Sequence, residues 1–240
     1  MTQMDTSNLE HKALNERLRE IPGDCAMVNC LGQRFIAAGL SGKKVTIDGI
    51  PGNALGAYLN GASITVNGNA QDAVGDTMNA GEIVIHGNVG DAAGYAMRGG
   101  AIFVQGNAGY RAGIHMKEYG DKKPVLVIGG RAGSFLGEYQ AGGRILVLGL
   151  HTDGKPIVGN FPCTGMHGGK MLLRGPASGV KFPDRTIVQP AGAEEMAEFE
   201  PLIRRFCQLF DYDPQTLLEQ EYTLVTPDSH NPYKQMYVSN

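Results

Sequence analysis

Short apolar runs punctuate the middle of the chain at a fixed interval. Val45-Thr46-Ile47, Ile64-Thr65-Val66, Ile83-Val84-Ile85 and Ile102-Phe103-Val104 begin 19 residues apart. Each is followed two positions later by glycine: Gly49, Gly68, Gly87 and Gly106. Gly56, Gly75, Gly94 and Gly113 keep the same period, and Gly52, Gly90 and Gly109 form a third column broken only by Gln71. The run recurs with looser spacing at Val125–Ile128, Ile145–Leu148 and Met171–Leu173, 23, 20 and 26 residues on, which makes seven copies.

A three-residue strand in a 19-residue unit, with no stretch long enough for a helix, describes one turn of a parallel β-solenoid; helical repeats need about 33 residues or more. Glycine suits the corners, where positive φ or close backbone approach costs it little. Coils stacked about 4.8 Å apart give a rod on the order of 30 Å long. Leu59, Met78, Met97 and Met116 then form an apolar column, read as core packing, and Asn69, Asn88 and Asn107 a polar one. The middle strand residue points away from its neighbours. It reads Thr46, Thr65, Val84, Phe103, Leu126, Leu146, Leu172, so a polar outer face becomes an apolar stripe from the third coil on. A stripe of that size needs a cover; the chain's own helix is the expected one, and a partner subunit is the rival.

The flanks are helical. Ser7-Asn8-Leu9-Glu10 has capping-box spacing, with Leu9, Ala13, Leu14, Leu18 and Ile21 on one face up to Pro22-Gly23. Val28 to Ile36 reads as a turn between short strands leading into the first coil. Met196, Phe199, Ile203, Phe206 and Phe210 predict a helix over 194–210, broken or kinked at Pro201. Asp213-Pro214 opens a short helix to about Gln220. The tail from Thr226, with Pro227, Pro232, Tyr233 and Tyr237, reads as extended. The expected organisation is a lead-in over 1–41, a β-helix over 42–190 and a C-terminal flank over 191–240. Where the period breaks, surface loops are expected at 116–124 and 150–169. They supply the candidate partner-contact residues Lys117, Tyr119, Lys122, Lys123, His151 and His167.

Composition narrows the function. Thirty-one of the 35 glycines fall between Gly42 and Gly179, among Ile, Val, Leu and Met, which excludes a flexible linker. The absence of glycine at every third residue excludes collagen. A net charge of −3 with no run of one sign gives no footprint for nucleic acid or an anionic membrane. No apolar run approaches the ~20 residues that span a bilayer, and the first residues carry no signal pattern, so a cytoplasmic protein is expected. The four cysteines show no Cys-x-x-Cys spacing, and His151, Asp153, Cys163 and His167 match no standard metal set. Thr164 stands where a P-loop needs glycine before Gly169-Lys170, and no Gly-x-Ser-x-Gly elbow exists. His86 and His115 read as exposed rungs of the coil.

The pattern Gly87-x-x-Gly90-x-x-x-Gly94, repeated at Gly49/Gly52/Gly56 and Gly106/Gly109/Gly113, resembles the GXGXG domain, the right-handed β-helix at the carboxyl end of the glutamate synthase large subunit. The same domain type occurs in one subunit of formylmethanofuran dehydrogenase and in one of N-methylglutamate synthase. The segments Gly68–Asp72, Gly113–Tyr119 and Thr164–Gly169 are similar to the free-standing version made as one of several separate glutamate synthase subunits. The resemblance implies an all-β, right-handed parallel β-helix of about seven coils with N- and C-terminal helical flanks. It also implies a non-catalytic scaffold that docks a glutaminase subunit and an FMN/iron–sulfur synthase subunit. Glutamine and 2-oxoglutarate would become glutamate in those partners, with the FMN and clusters in them and no cofactor, metal or catalytic residue in this chain. Threonine at position 2 and the missing cluster cysteines agree with that. The alternative within the same class is the equivalent subunit of N-methylglutamate synthase or formylmethanofuran dehydrogenase, and the alternative from a different class is a stand-alone enzyme using Cys163 and His167 in the 150–169 loop.

Overall fold

The computed structural model describes residues 1–228. In chain order its elements are β1 (Thr2–Asp5), α1 (His11–Glu20), β2 (Cys25–Leu31), β3 (Lys44–Ile50), β4 (Asn60–Val66), β5 (Ala80–Ile85), β6 (Ala101–Val104), β7 (Val125–Ile128), β8 (Ala141–Val147), β9 (Gly168–Arg174), β10 (Thr186–Pro190), α2 (Ala193–Phe210), α3 (Pro214–Leu218) and β11 (Tyr222–Pro227). One 11-stranded sheet runs β1 to β9 in sequence order and ends β9-β11-β10. Pairs from β1 to β9 are parallel, as they must be when each coil lays its strand on the last. A second ladder of parallel bridges, Ala70–Val89–Ala108–Ala132–Val158, follows the turns. The chain is a β-solenoid, and β2 adds a rung ahead of the seven read from the period.

The register stacks Val45, Ile64, Ile83, Ile102, Leu126, Ile145 and Met171 inside the coil, and Leu59, Met78, Met97 and Met116 fill the same interior. The outward column is Thr46, Thr65, Val84, Phe103, Val127, Leu146, Leu172. Leu126 is therefore an interior residue and Val127 takes its place in the stripe. In the continuous run Val125–Ile128 both faces are apolar, so the sequence pattern does not fix the phase, and one residue of slip exchanges the faces.

The stripe is covered by the chain's own helix. Phe199, Ile203, Phe206 and Phe210 of α2 pack with Val84, Phe103, Val127, Leu146 and Leu172 in a second core outside the coil. Arg205 anchors the helix to Glu82 at 2.6 and 3.0 Å. Pro201 lies inside a continuous α2 and does not break it. At Gly129 an added Cβ would sit 2.6 Å from the Phe206 ring. α3 begins as its sequence predicts, with Asp213 accepting from Gln215 N–H (3.1 Å) and Thr216 N–H (3.3 Å).

Both ends of the stack are closed. α1 starts at His11, with no side-chain cap, because Asp5 captures the Ser7 N–H at 2.9 Å and Asn8 turns left-handed (φ 61); the expected capping box does not form. Leu14 and Leu18 cover the core. Buried Asn15 stands in for a missing earlier coil, donating to Phe35 O and accepting from Ala37 N–H, each at 2.9 Å. At the far end β11 slots antiparallel between β9 and β10, a pairing the sequence pattern did not announce. The extended tail expected through Pro232, Tyr233 and Tyr237 lies outside the described residues.

Bonds from Asp228 N to Arg185 O and from Ala191 N to Tyr222 O fix the phase of β10. By alternation, Thr186, Val188 and Pro190 turn their backbone groups to the outer edge. Thr186 N–H is taken by Pro183 O and proline has none, so Val188 supplies the donor left there among the described residues.

Candidate partner-docking site

The loop after the fourth glycine turn is a tight hairpin. Tyr119 and Lys122 exchange N–H···O bonds of 3.1 Å, which leaves Lys117, Tyr119, Lys122 and Lys123 exposed, Tyr119 at 82 %. Behind it Glu118 folds against the bulged start of β8, accepting from Gly143 N–H at 3.0 Å. It lies so close to Gly142 that a Cβ there would meet Glu118 N at 2.4 Å.

A cleft of about 830 Å³ opens between this loop, the starts of β8 and β9, α2 and the end of β11. Lys123, Arg144, His167 and Lys170 line it together with Glu118, Glu198 and Asp228. Two of the sequence candidates, Lys123 and His167, therefore share a site. Lys117, Tyr119 and Lys122 stand on the hairpin without lining the cleft. His151 is exposed on a separate turn.

Glu198 organises the cleft floor. One oxygen takes Arg144 at 2.5 Å and the other Lys170 at 2.6 Å. Partial burial pushes its pKa up, but the hydrogen bonds from Lys170 and Arg144 and their charges outweigh this and hold the carboxyl below its ordinary range. Sequence reading missed Arg144, Lys170 and Glu198. Arg144 and Lys170 are cross-strand neighbours, a cue available in the sequence only with the correct register, and Glu198 reaches them from 54 and 28 positions away.

The 150–169 segment is only partly an insertion. Phe161, Cys163 and Gly165 carry φ of 57, 59 and 68 and continue the glycine turn, with Cys163 where Gly56, Gly75, Gly94 and Gly113 stand. Its thiol is fully buried in the coil core, 3.6 Å from Met171 Sδ. Burial pushes its pKa up to about 12. That is the setting of an inert cysteine, and it removes the nucleophile from the stand-alone enzyme alternative. His167 Nδ1 meets Gly165 O at 3.0 Å. His86 and His115 are exposed, as read, and touch rings: His86 meets Phe210 edge-on, and His115 stacks on Tyr139. Among the described residues no His, Cys, Asp or Glu cluster could hold a metal, and no helix is long and apolar enough to cross a membrane.

A solenoid with one glycine-type turn per coil, a helix laid along its outer stripe and a charged cleft beside a protruding hairpin defines a helix-backed β-rod. The chain belongs to the GXGXG motif family, which it matches over residues 10–228. It is 41 % identical to an uncharacterized protein of Methanocaldococcus jannaschii, with 98 % of this chain and 95 % of that one aligned. It is also similar in fold to a chain in the crystal structure of the formyltransferase/hydrolase complex from Methylorubrum extorquens in complex with methylofuran. There the TM-score is 0.62 at 18 % identity, over 92 % of this chain and 90 % of the other.

Proposed function

We propose that this chain is a non-catalytic structural subunit of a glutamate synthase-type complex. It would dock a glutaminase subunit and an FMN/iron–sulfur synthase subunit, which carry the cofactors and convert glutamine and 2-oxoglutarate to glutamate. The observation that carries the reading is the pairing of a family rod with the Lys123/His167 cleft beside an exposed hairpin. Lys117, Tyr119, Lys122, Lys123 and His167 are the proposed contacts, with His151 at a second, smaller one. Cys163, sealed in the core, argues against chemistry in the 150–169 segment. A second reading, the equivalent subunit of a formylmethanofuran-type complex, is favoured by the fold likeness to a chain of the formyltransferase/hydrolase complex.

Affinity capture of the native assembly with mass spectrometry tests both. Glutaminase and flavin/iron–sulfur chains in fixed stoichiometry support the first reading. Formyltransferase or formylmethanofuran dehydrogenase subunits transfer the assignment to the second. A chain recovered without other subunits overturns the scaffold.

A further inference from the structure

Each glycine turn holds three left-handed residues two apart, and the outer two are not confined to glycine. The first reads Phe35, Ala54, Ala73, Ala92, Arg111, Phe135, Phe161 and the third Gly39, Tyr58, Thr77, Ala96, His115, Tyr139, Gly165, all with φ from 51 to 68. Their N–H groups donate to the next coil, as from Ala73 to Asp91 O and from Thr77 to Tyr95 O, so these positions stack in register along one face of the rod. A bulky residue in this region is strained. In the first column Arg111, Phe135 and Phe161 succeed three alanines, and Phe35 precedes them.

The large side chains are arranged as a surface. Phe135 lies 5.5 Å from Tyr110 and 5.3 Å from Phe161. His115 stacks on Tyr139 at 5.2 Å, and the Arg111 guanidinium sits 5.1 Å over the Phe135 ring. Tyr110, Tyr139 and Phe161 are nonetheless 44, 42 and 60 % exposed. Tyrosine, arginine and phenylalanine stacked in the open are the composition of an interface core.

We infer that this face binds a second copy of the chain, antiparallel, about a two-fold axis lying between the coils of Ala92 and Arg111. Reversing one column on itself sets large against small over the six turns that overlap, with Phe35 beyond the overlap. Phe161 meets Ala54, Phe135 meets Ala73, and Arg111 meets Ala92. In the neighbouring column Tyr139 meets Thr77, His115 meets Ala96, and Tyr58 meets Gly165. Charge agrees with shape: the alanine half carries exposed Asp72 and Asp91, so Arg111 of one copy comes to rest beside Asp91 of the other. An isologous contact needs this self-complementarity. None of the hairpin and cleft residues proposed to hold other subunits belongs to either column, although His167 abuts one at Gly165, and sedimentation of the purified chain tests the dimer separately from that reading.

Sedimentation of the purified chain at tens of micromolar tests the inference. Twice the 25.6 kDa chain mass is expected, and a monomer overturns it. Replacing Phe135 and Phe161 together by Asn suits the left-handed backbone better than the rings do, so the far-UV spectrum and melting temperature should hold while dimer affinity falls at least tenfold. An unchanged affinity overturns it. Ala92→Arg should also yield monomers, and adding Arg111→Glu to that variant should restore the dimer. Failure of this charge exchange to restore pairing counts against the register.

Discussion

Two kinds of constraint hold the glycine columns. At Gly87 and Gly106 φ is ordinary, but a Cβ would lie 2.4 Å from Asn69 Oδ1 and Asn88 Oδ1 respectively. Those oxygens accept the N–H of Asn88 and Asn107 at 2.8 and 2.7 Å. The asparagine ladder thus runs in the space that the missing side chains leave. At Gly56, Gly75, Gly94 and Gly113 a left-handed backbone, with φ of 65 to 72, combines with a Cβ position 2.4 to 3.1 Å from Ile83, Ile102, Met97 and Ile145 side-chain atoms. Gly87→Ala should cost about 3 kcal/mol, the upper range for overpacking. Gly120→Ala, in open space at φ +57, should cost about 1 kcal/mol; equal thermal shifts would contradict the ladder. The cysteines invite a second measurement. All four are buried and free, with burial pushing Cys30 up to about 11 and Cys163 to about 12. Alkylation at pH 8 should leave them unmodified in the native chain and label all four in denaturant. Gln140 is the exception to an apolar interior column. Its Nε2 donates to the carbonyls of Gly142 and Gly143 at 3.2 Å and so ties down the cleft floor.

At the scale of elements, α2 turns a half-dressed solenoid face into a second core. Phe206 is fully buried against the stripe, so Phe206→Ala should cost about 3–5 kcal/mol and expose the sheet to a hydrophobic dye. An unaltered melt with no added dye binding would mean that α2 is not the cover. Glu198 ties the same helix to β8 and β9 electrostatically. Its folded pKa is depressed, so its contribution is present above the unfolded carboxyl value and fades as pH falls through the folded one. Glu198→Gln should therefore melt below wild type at pH 7, and the gap should close below about pH 4. A gap constant with pH would assign the loss to shape. These elements also mark how far the sequence is readable. The strict 19-residue strands and the amphipathic α2 follow from local periodicity. β10 and β11 do not, because their five- and six-residue runs acquire meaning only when β11 pairs with β9, some 50 positions earlier, and with β10, some 33 to 41 positions earlier. Val127 escaped for a similar reason: a strand apolar on both faces carries no phase.

For the whole molecule, the same distinction separates fold from site. Stacking is a repeat property and writes itself into every coil, whereas the cleft gathers single residues from 118 to 228 with no periodic mark. The stack is also of finite length, although parallel coils have no intrinsic reason to stop. At β10 the outer edge offers Val188 N–H as its remaining donor, with proline two residues on. In the language of polymer growth, Thr186 and Pro190 are chain terminators that withdraw two of the three donor positions on the last unit's outer edge. Pro190→Val would return a donor to that edge, and light scattering should then record concentration-dependent growth beyond any defined oligomer. The proline thus blocks growth along the sheet edge and leaves the side-by-side pairing of two copies untouched.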